Sequence, residues 1–400
     1  MIQLGGKIRL RGPWNDSAIV LKVSENSARP APLRRREAFI VTGQDLPEGF
    51  HSYVVTKERA GALDIDRVDK LLAIIPDEMS YLADGDIIRI QPKQKNIRAL
   101  YRRNSPSNSF LVTERCNHYC LMCSQPPKNI DDSWLVDEIK EAIPLIDPST
   151  KEIGFTGGEP TLLGDDFLDV LRLAKSYLPN TSIHILSNGR RFSDQKFAKA
   201  YANIEHPDMM VGIPLYSDIS NIHDYVVQSD GAFDETVRGI INLKKERQAV
   251  EVRFVIHQQT YKRLPQFAQF IARNLTFVDH VALMGLEMMG FTKANLKDLW
   301  IDPWDYQDEL YRATALLAGH GIHVSIYNHQ LCVLDRRVWP FAQKSISDWK
   351  NEYMEECKGC AEMERCGGFF SSAMLRYSDH ITPFSHTAYP SGVDAFPEME

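Results

Sequence analysis

The chain has 400 residues, 44% hydrophobic and 25% charged, with a net charge of −7. This is the composition of an ordinary soluble globular protein of two or three domains, and its acidic balance argues against nucleic-acid binding by bulk electrostatics. No apolar run approaches the ~20 residues that span a bilayer, and the first residues lack the apolar core of a signal peptide, so a cytoplasmic protein with reduced thiols is expected.

Residues 1–104 read as a strand-rich N-terminal domain. Short apolar runs such as Ala18-Ile19-Val20-Leu21, Tyr53-Val54-Val55 and Ile87-Ile88-Arg89-Ile90 alternate with turn signals such as Asp84-Gly85-Asp86. One helix is expected near residues 66–75. Arg34-Arg35-Arg36 reads as a solvated loop or as a grip for an acidic partner. The polar run from Asn104 to Ser109 reads as a linker.

From residue 105 to 325 the rhythm changes to strand followed by helix. Strands are expected over 110–113, 152–156, 182–186, 209–215, 250–256 and 280–286. Between them the sequence predicts helices, for which Phe167, Leu168, Leu171 and Ala174 give an apolar stripe at helical spacing. Six such units imply a parallel sheet with right-handed crossovers, a partial (β/α)6 barrel of the TIM type in an α/β fold. Chemistry on such a barrel sits at the carboxyl ends of the strands. Unusual residues fall there: Thr156-Gly157-Gly158-Glu159-Pro160 after strand two, Ser187-Asn188-Gly189 after strand three, Tyr216 after strand four, His257 after strand five and Glu287 after strand six. Residues 326–379 form a third, small region, and 380–400 read as a flexible tail.

The seven cysteines sort into two groups. Cys116, Cys120 and Cys123 follow strand one at C-x3-C-x2-C. Cys332, Cys357, Cys360 and Cys366 lie in the third region, the last three at C-x2-C-x5-C. With disulfides disfavoured by compartment, metal binding is the leading use. The first loop admits a structural zinc site with His118 as fourth ligand, inert buried thiols, or an iron–sulfur cluster. Four-iron clusters take four cysteines, so three thiolates leave one iron open to another ligand. The second group has four thiols, enough for one fully ligated cluster or a four-cysteine zinc site.

C-x3-C-x2-C after the first strand of a partial barrel resembles the radical S-adenosylmethionine (SAM) superfamily. That resemblance implies a [4Fe-4S] cluster on Cys116, Cys120 and Cys123, whose open iron is chelated by the amino and carboxylate groups of SAM. Reductive cleavage of SAM then gives a 5′-deoxyadenosyl radical that abstracts a substrate hydrogen. Gly157, Gly158, Glu159 and Pro160 resemble the family's GGEP motif at the SAM amino group; alone they are a turn, with glycines that let main chain approach a ligand. Ser187 and Asn188 resemble its ribose contact, or else a helix cap. Arg253 matches a SAM carboxylate contact or a surface ion pair. Met122 stands where an aromatic residue usually meets the adenine.

The second cysteine group resembles the SPASM or shorter Twitch extension, which implies a small C-terminal iron–sulfur domain and an auxiliary [4Fe-4S] cluster. The strand-rich domain joined to residues 108–127 resembles the C-type radical SAM maturase of the His-Xaa-Ser system. The implied partners are a precursor peptide as substrate, a second radical SAM maturase, and an electron donor such as flavodoxin or ferredoxin, with neither nucleic acid nor membrane. Radical SAM enzymes acting on a small molecule or on a sulfatase, and a non-catalytic zinc or iron–sulfur scaffold or redox sensor, are the alternative readings.

Overall fold

The structure is a computed structural model and describes residues 3–43, 46–62, 70–345 and 352–386. The N-terminal region holds an eight-stranded mixed sheet. Its strands are rich in β-branched residues, and alternate side chains, among them Val23, Val54, Ile88, Ile90 and Ile97, fill a buried core. Strand Gly5–Lys7 pairs with Asn96–Tyr101 at one end of the sheet. The next strand, Arg9–Arg11, pairs with Leu72–Ile75 at the other end. One short stretch of chain therefore touches both sheet ends and curls the sheet toward closure.

The helix expected over 66–75 is corrected in part. Leu72–Ile75 is a strand beside Ser52–Thr56, and 66–69 lie outside the described residues. All four strand residues are buried, and a fully buried apolar run carries no periodicity that tells strand from helix. Of the basic run, Arg35 and Arg36 are exposed, as a solvated segment requires, and Arg34 is half-buried. Its guanidinium donates to the carbonyls of Arg29 (2.6 Å) and Glu48 (2.7 Å). The expected linker is a tight turn in which Asn108 bonds back to the main chain of Arg102.

The second sheet has seven parallel strands in chain order: Asn108–Leu111, Glu152–Thr156, Ser182–Leu186, Met209–Pro214, Ala249–Ile256, His280–Gly285 and His323–Tyr327. The sixfold count is thus corrected to seven. His323–Tyr327 follows helix Gln307–Gly319 and runs across the expected boundary at 325/326. Among the described residues the two outer strands do not pair, so the barrel stays partial. Alternation decides which face is which. Ile153, Phe155, Ile183, Ile185, Val211, Ile213, Val252 and Phe254 pack with helical Phe167, Leu171, Ile240 and Phe267. The opposite face carries Gly154, His184, Gly212, Glu251, Arg253 and His280. Ile87, Leu100 and Tyr101 of the N-terminal sheet belong to the same core as the barrel.

The third region consists largely of turns and short 3-10 segments. Residues 380–386 do not behave as a free tail: His380 stacks on Trp304 at 4.6 Å and Phe384 packs on Trp339. Residues 387–400 lie outside the described residues. No helix among the described residues is long and apolar enough to cross a membrane.

Candidate active site

The cysteine loop leaves the carboxyl end of strand one and is held at its neck by Asp132. This carboxylate, 1% exposed, accepts from Thr113 Oγ1 (2.9 Å) and the Glu114 amide (2.5 Å), and Arg115 lies 3.4 Å away. The loop is then pinned on two further sides. The Tyr119 and Leu121 amides donate to the carbonyls of Val227 and Val226, at the end of helix Ser220–Val227. On the other side Phe291 N donates to Cys123 O, Thr292 Oγ1 to Met122 O and Asn295 Nδ2 to Leu121 O. Gly290 seats this clamp: its φ is +53°, and a Cβ there would stand 2.2 Å from the Cys123 carbonyl oxygen. Asp132, Gly290, Thr292 and Asn295 were not foreseen from the sequence.

The three thiols are half-buried and close enough to act on one another. Burial, with the neighbouring Glu159 and Cys123, pushes Cys116 up to about 12. Burial and the two other thiols raise Cys120. Among the described residues no three cysteine, histidine or acidic side chains stand at the spacing of a single ion. A four-iron cluster does not ask for that spacing, because each thiolate binds its own iron. A pinned loop carrying three soft ligands fits such a cluster. Met122 is 7% exposed and packs with Tyr216, Val226, Val227 and Leu299 beside Cys120.

The two glycines after strand two also serve a packing purpose. A Cβ on Gly157 would meet Thr113 O at 2.4 Å, and one on Gly158 would meet Arg115 O at 2.1 Å. They let main chain lie on main chain, and the amides of Gly158 and Glu159 donate to Thr113 and Arg115. Glu159 is buried and fully engaged within the protein. Its carboxylate accepts from Thr161 N and Oγ1, from Ser187 Oγ (2.8 Å) and from the Asn188 amide (2.5 Å). Burial pushes its pKa up against those four donors. Glu159, followed by the buried Pro160, thus anchors the turn after strand two to Ser187 and Asn188 after strand three. Asn188 Nδ2 in turn donates to Asn117 Oδ1 (2.6 Å) in the cysteine loop.

Three loops from three strands are therefore knitted into one rim. Residues 110–271 match the model of the radical SAM superfamily. The likeness runs from strand one to the helix after strand five. A curated relative, Fe-coproporphyrin III synthase of Methanosarcina barkeri, is 29% identical over 157 residues, 38% of each chain. Among solved structures, SuiB of Streptococcus suis bound to S-adenosylmethionine gives a TM-score of 0.45 at 14% identity, over 61% of this chain and 54% of that one. Native anSMEcpe with bound AdoMet and Cp18Cys peptide gives 0.41 at 16%, over 54% of this chain and 62% of that one. The chain thus spans less than two-thirds of each of these relatives.

The remaining candidate residues on the barrel divide by burial. Tyr216 is 7% exposed and stacks on His223, whose Nδ1 accepts the Tyr216 amide. His118 is 3% exposed with no protein partner on Nε2, and burial, then Arg190 and His223, lower it to about 3. His257 is fully buried, Nδ1 accepting from the Gln259 amide, and burial lowers it to about 3. It does not line a cavity, contrary to expectation. Glu287 is partly exposed in the loop after strand six. Arg253 points to the barrel interior, 3.5 Å from Glu251 and 3.3 Å from the Met284 sulfur. It is no surface pair. Glu251 also accepts from His280 (2.8 Å) and faces His184 (3.6 Å). Burial raises its pKa, but the neighbouring His184, His280 and Arg253 outweigh burial and hold it well below the carboxylate range.

The second cysteine group also converges. Cys332, Cys357, Cys360 and Cys366 line one small cavity together with Tyr353, Glu362 and Phe384. Cys366 Sγ accepts the Leu331 amide and Cys360 Sγ the Phe384 amide. A shared cavity fits one centre with four thiolates.

Proposed function

We propose that this chain is a radical SAM enzyme that modifies a ribosomally made peptide of the His-Xaa-Ser repeat type by hydrogen abstraction. The observation that carries the enzyme reading is the pinned loop with Cys116, Cys120 and Cys123 at the carboxyl end of strand one of a radical SAM domain. A [4Fe-4S] cluster on these thiols supplies reductive cleavage of SAM. The protein's own residues orient SAM and shield the chemistry. The main chain at Gly157 to Pro160 faces the SAM amino group, Ser187 and Asn188 border the ribose, Arg253 answers the carboxylate, and Met122 backs the adenine. Tyr216 closes the cavity behind the cysteine loop, and Glu287 lies at its edge. Cys332, Cys357, Cys360 and Cys366 hold an auxiliary cluster in a Twitch-like region.

The peptide reading rests on the strand-rich N-terminal domain and on the likeness of residues 108–127 to the His-Xaa-Ser maturases. A precursor peptide, a second radical SAM maturase and a flavodoxin or ferredoxin are the partners this reading requires, in the cytoplasm. A small-molecule substrate is the second reading, favoured by the relative named for a porphyrin product. Anaerobic reconstitution tests the enzyme: about eight irons per chain and 5′-deoxyadenosine on reduction with SAM are expected, and zinc-only protein refutes it. Mass spectrometry of a His-Xaa-Ser peptide co-expressed with the chain tests the substrate: a mass change supports the peptide, and an unaltered peptide beside a productive SAM cleavage refutes it.

A further inference from the structure

A groove of about 800 Å³ runs along the outer face of the N-terminal sheet and ends at helix Trp134–Ala142. Three antiparallel strands build its floor. Gly5 stands opposite Arg98, and Arg98 opposite Arg89; Lys7 stands opposite Asn96, and Asn96 opposite Gln91. Side chains two apart on a strand share a face, so Lys7, Arg89 and Arg98 all project into the groove. Its walls carry these three cations, four side-chain amides and no carboxylate, on a chain whose net charge is −7.

Trp134 closes one end. The residue is 43% exposed, with Arg89 4.5 Å above its ring and Arg98 at 5.6 Å. On the same side of the sheet Glu138, one turn further along that helix, pairs with both guanidiniums, Arg89 at 2.9 Å, and Arg89 also donates to Gln91 Oε1 (3.0 Å). One buried carboxylate against two guanidiniums fixes their aim and leaves the groove net positive, with the Lys7 ammonium held by the Gln94 carbonyl (3.0 Å). That is charge complementarity for an anionic occupant. The four amides already bond within the groove, Gln3 to Gly5 O, Gln91 from Arg89 and Asn96 to Gln94, and each side chain keeps further donor or acceptor capacity, which suits a peptide main chain. A single-stranded nucleic acid would need aromatic faces to stack on, and the one ring here already carries Arg89.

We propose that this groove binds an acidic, extended peptide segment, remote from the reacting residue. The identity of that segment as part of the substrate rests on the peptide reading above. The test is fluorescence anisotropy on the full-length, anaerobically prepared protein with three labelled probes: a short Glu-rich peptide, the same peptide with Gln for each Glu, and a single-stranded oligonucleotide of similar length. The Glu-rich peptide is expected to bind at least about tenfold more tightly than either other probe, with an affinity that falls with salt. Lys7→Glu and Gln91→Glu, both away from the core, are expected to weaken it about tenfold while peptide-independent SAM cleavage is unchanged. Equal binding of the Gln peptide, unaltered affinity in Lys7→Glu, or tighter binding of the oligonucleotide overturns the proposal. Loss of SAM cleavage with peptide binding intact overturns the enzyme reading alone.

Discussion

Glu159 shows how a motif residue can be legible in sequence while its work is not. Its four donors come from residues up to 29 positions away. Glu159→Ala leaves those buried donors unmet, and a loss of about 2–4 kcal/mol in chemical denaturation is expected; an unchanged midpoint would refute the anchoring role. The buried histidines make a second prediction. Burial lowers His223 and His329 to about 4 and His257 to about 3. The unfolded chain binds protons at these positions below pH ~6.5 while the folded chain does not, so the stability they contribute is present above that pH and is lost as pH falls toward 4. Thermal melts should drop steeply between pH 6.5 and 4, and a flat profile contradicts neutral burial. The cysteine spacing and the GGEP run were readable because they are local. Asp132 and Gly290 were not, because the groups they serve lie far off in the chain and only folding brings them together.

At the scale of elements, the clamp at 290–295 belongs to no recognisable pattern, yet it carries the cysteine loop. Gly290→Ala puts a Cβ into the Cys123 carbonyl at a positive φ. A cost of about 1–3 kcal/mol, concentrated in that loop, is expected. Iron bound after reconstitution should fall while far-ultraviolet circular dichroism stays native; full iron loading would show that the clamp is dispensable. Barrel strands two and three were read to the residue, because alternation at period two between Ile153 and Phe155, or Ile183 and Ile185, has one interpretation. Strand seven escaped because His323-Val324-Ser325-Ile326-Tyr327 follows the sixth unit at a point where six were already counted. The strand at 72–75 escaped because every position is buried. Phe254 is fully buried among Phe267 and its neighbours, and Phe254→Ala should cost about 3–5 kcal/mol.

On the scale of the molecule, the N-terminal sheet and the barrel share one core through Ile87, Leu100 and Tyr101. Order in one therefore supports the other, a coupling that a boundary at residue 104 does not suggest. The same packing places the cationic groove on the barrel's flank, beside helix Trp134–Ala142. What unites rim, clamp and groove is the claim that three thiolates leave one iron to bind SAM. Electron–nuclear double resonance on the reduced protein, with SAM isotopically labelled at its carboxylate and amine, measures this directly. Coupling of the label to the cluster held by Cys116, Cys120 and Cys123 is the expected result, and a cluster uncoupled from SAM with a fourth protein side chain on its iron would contradict it.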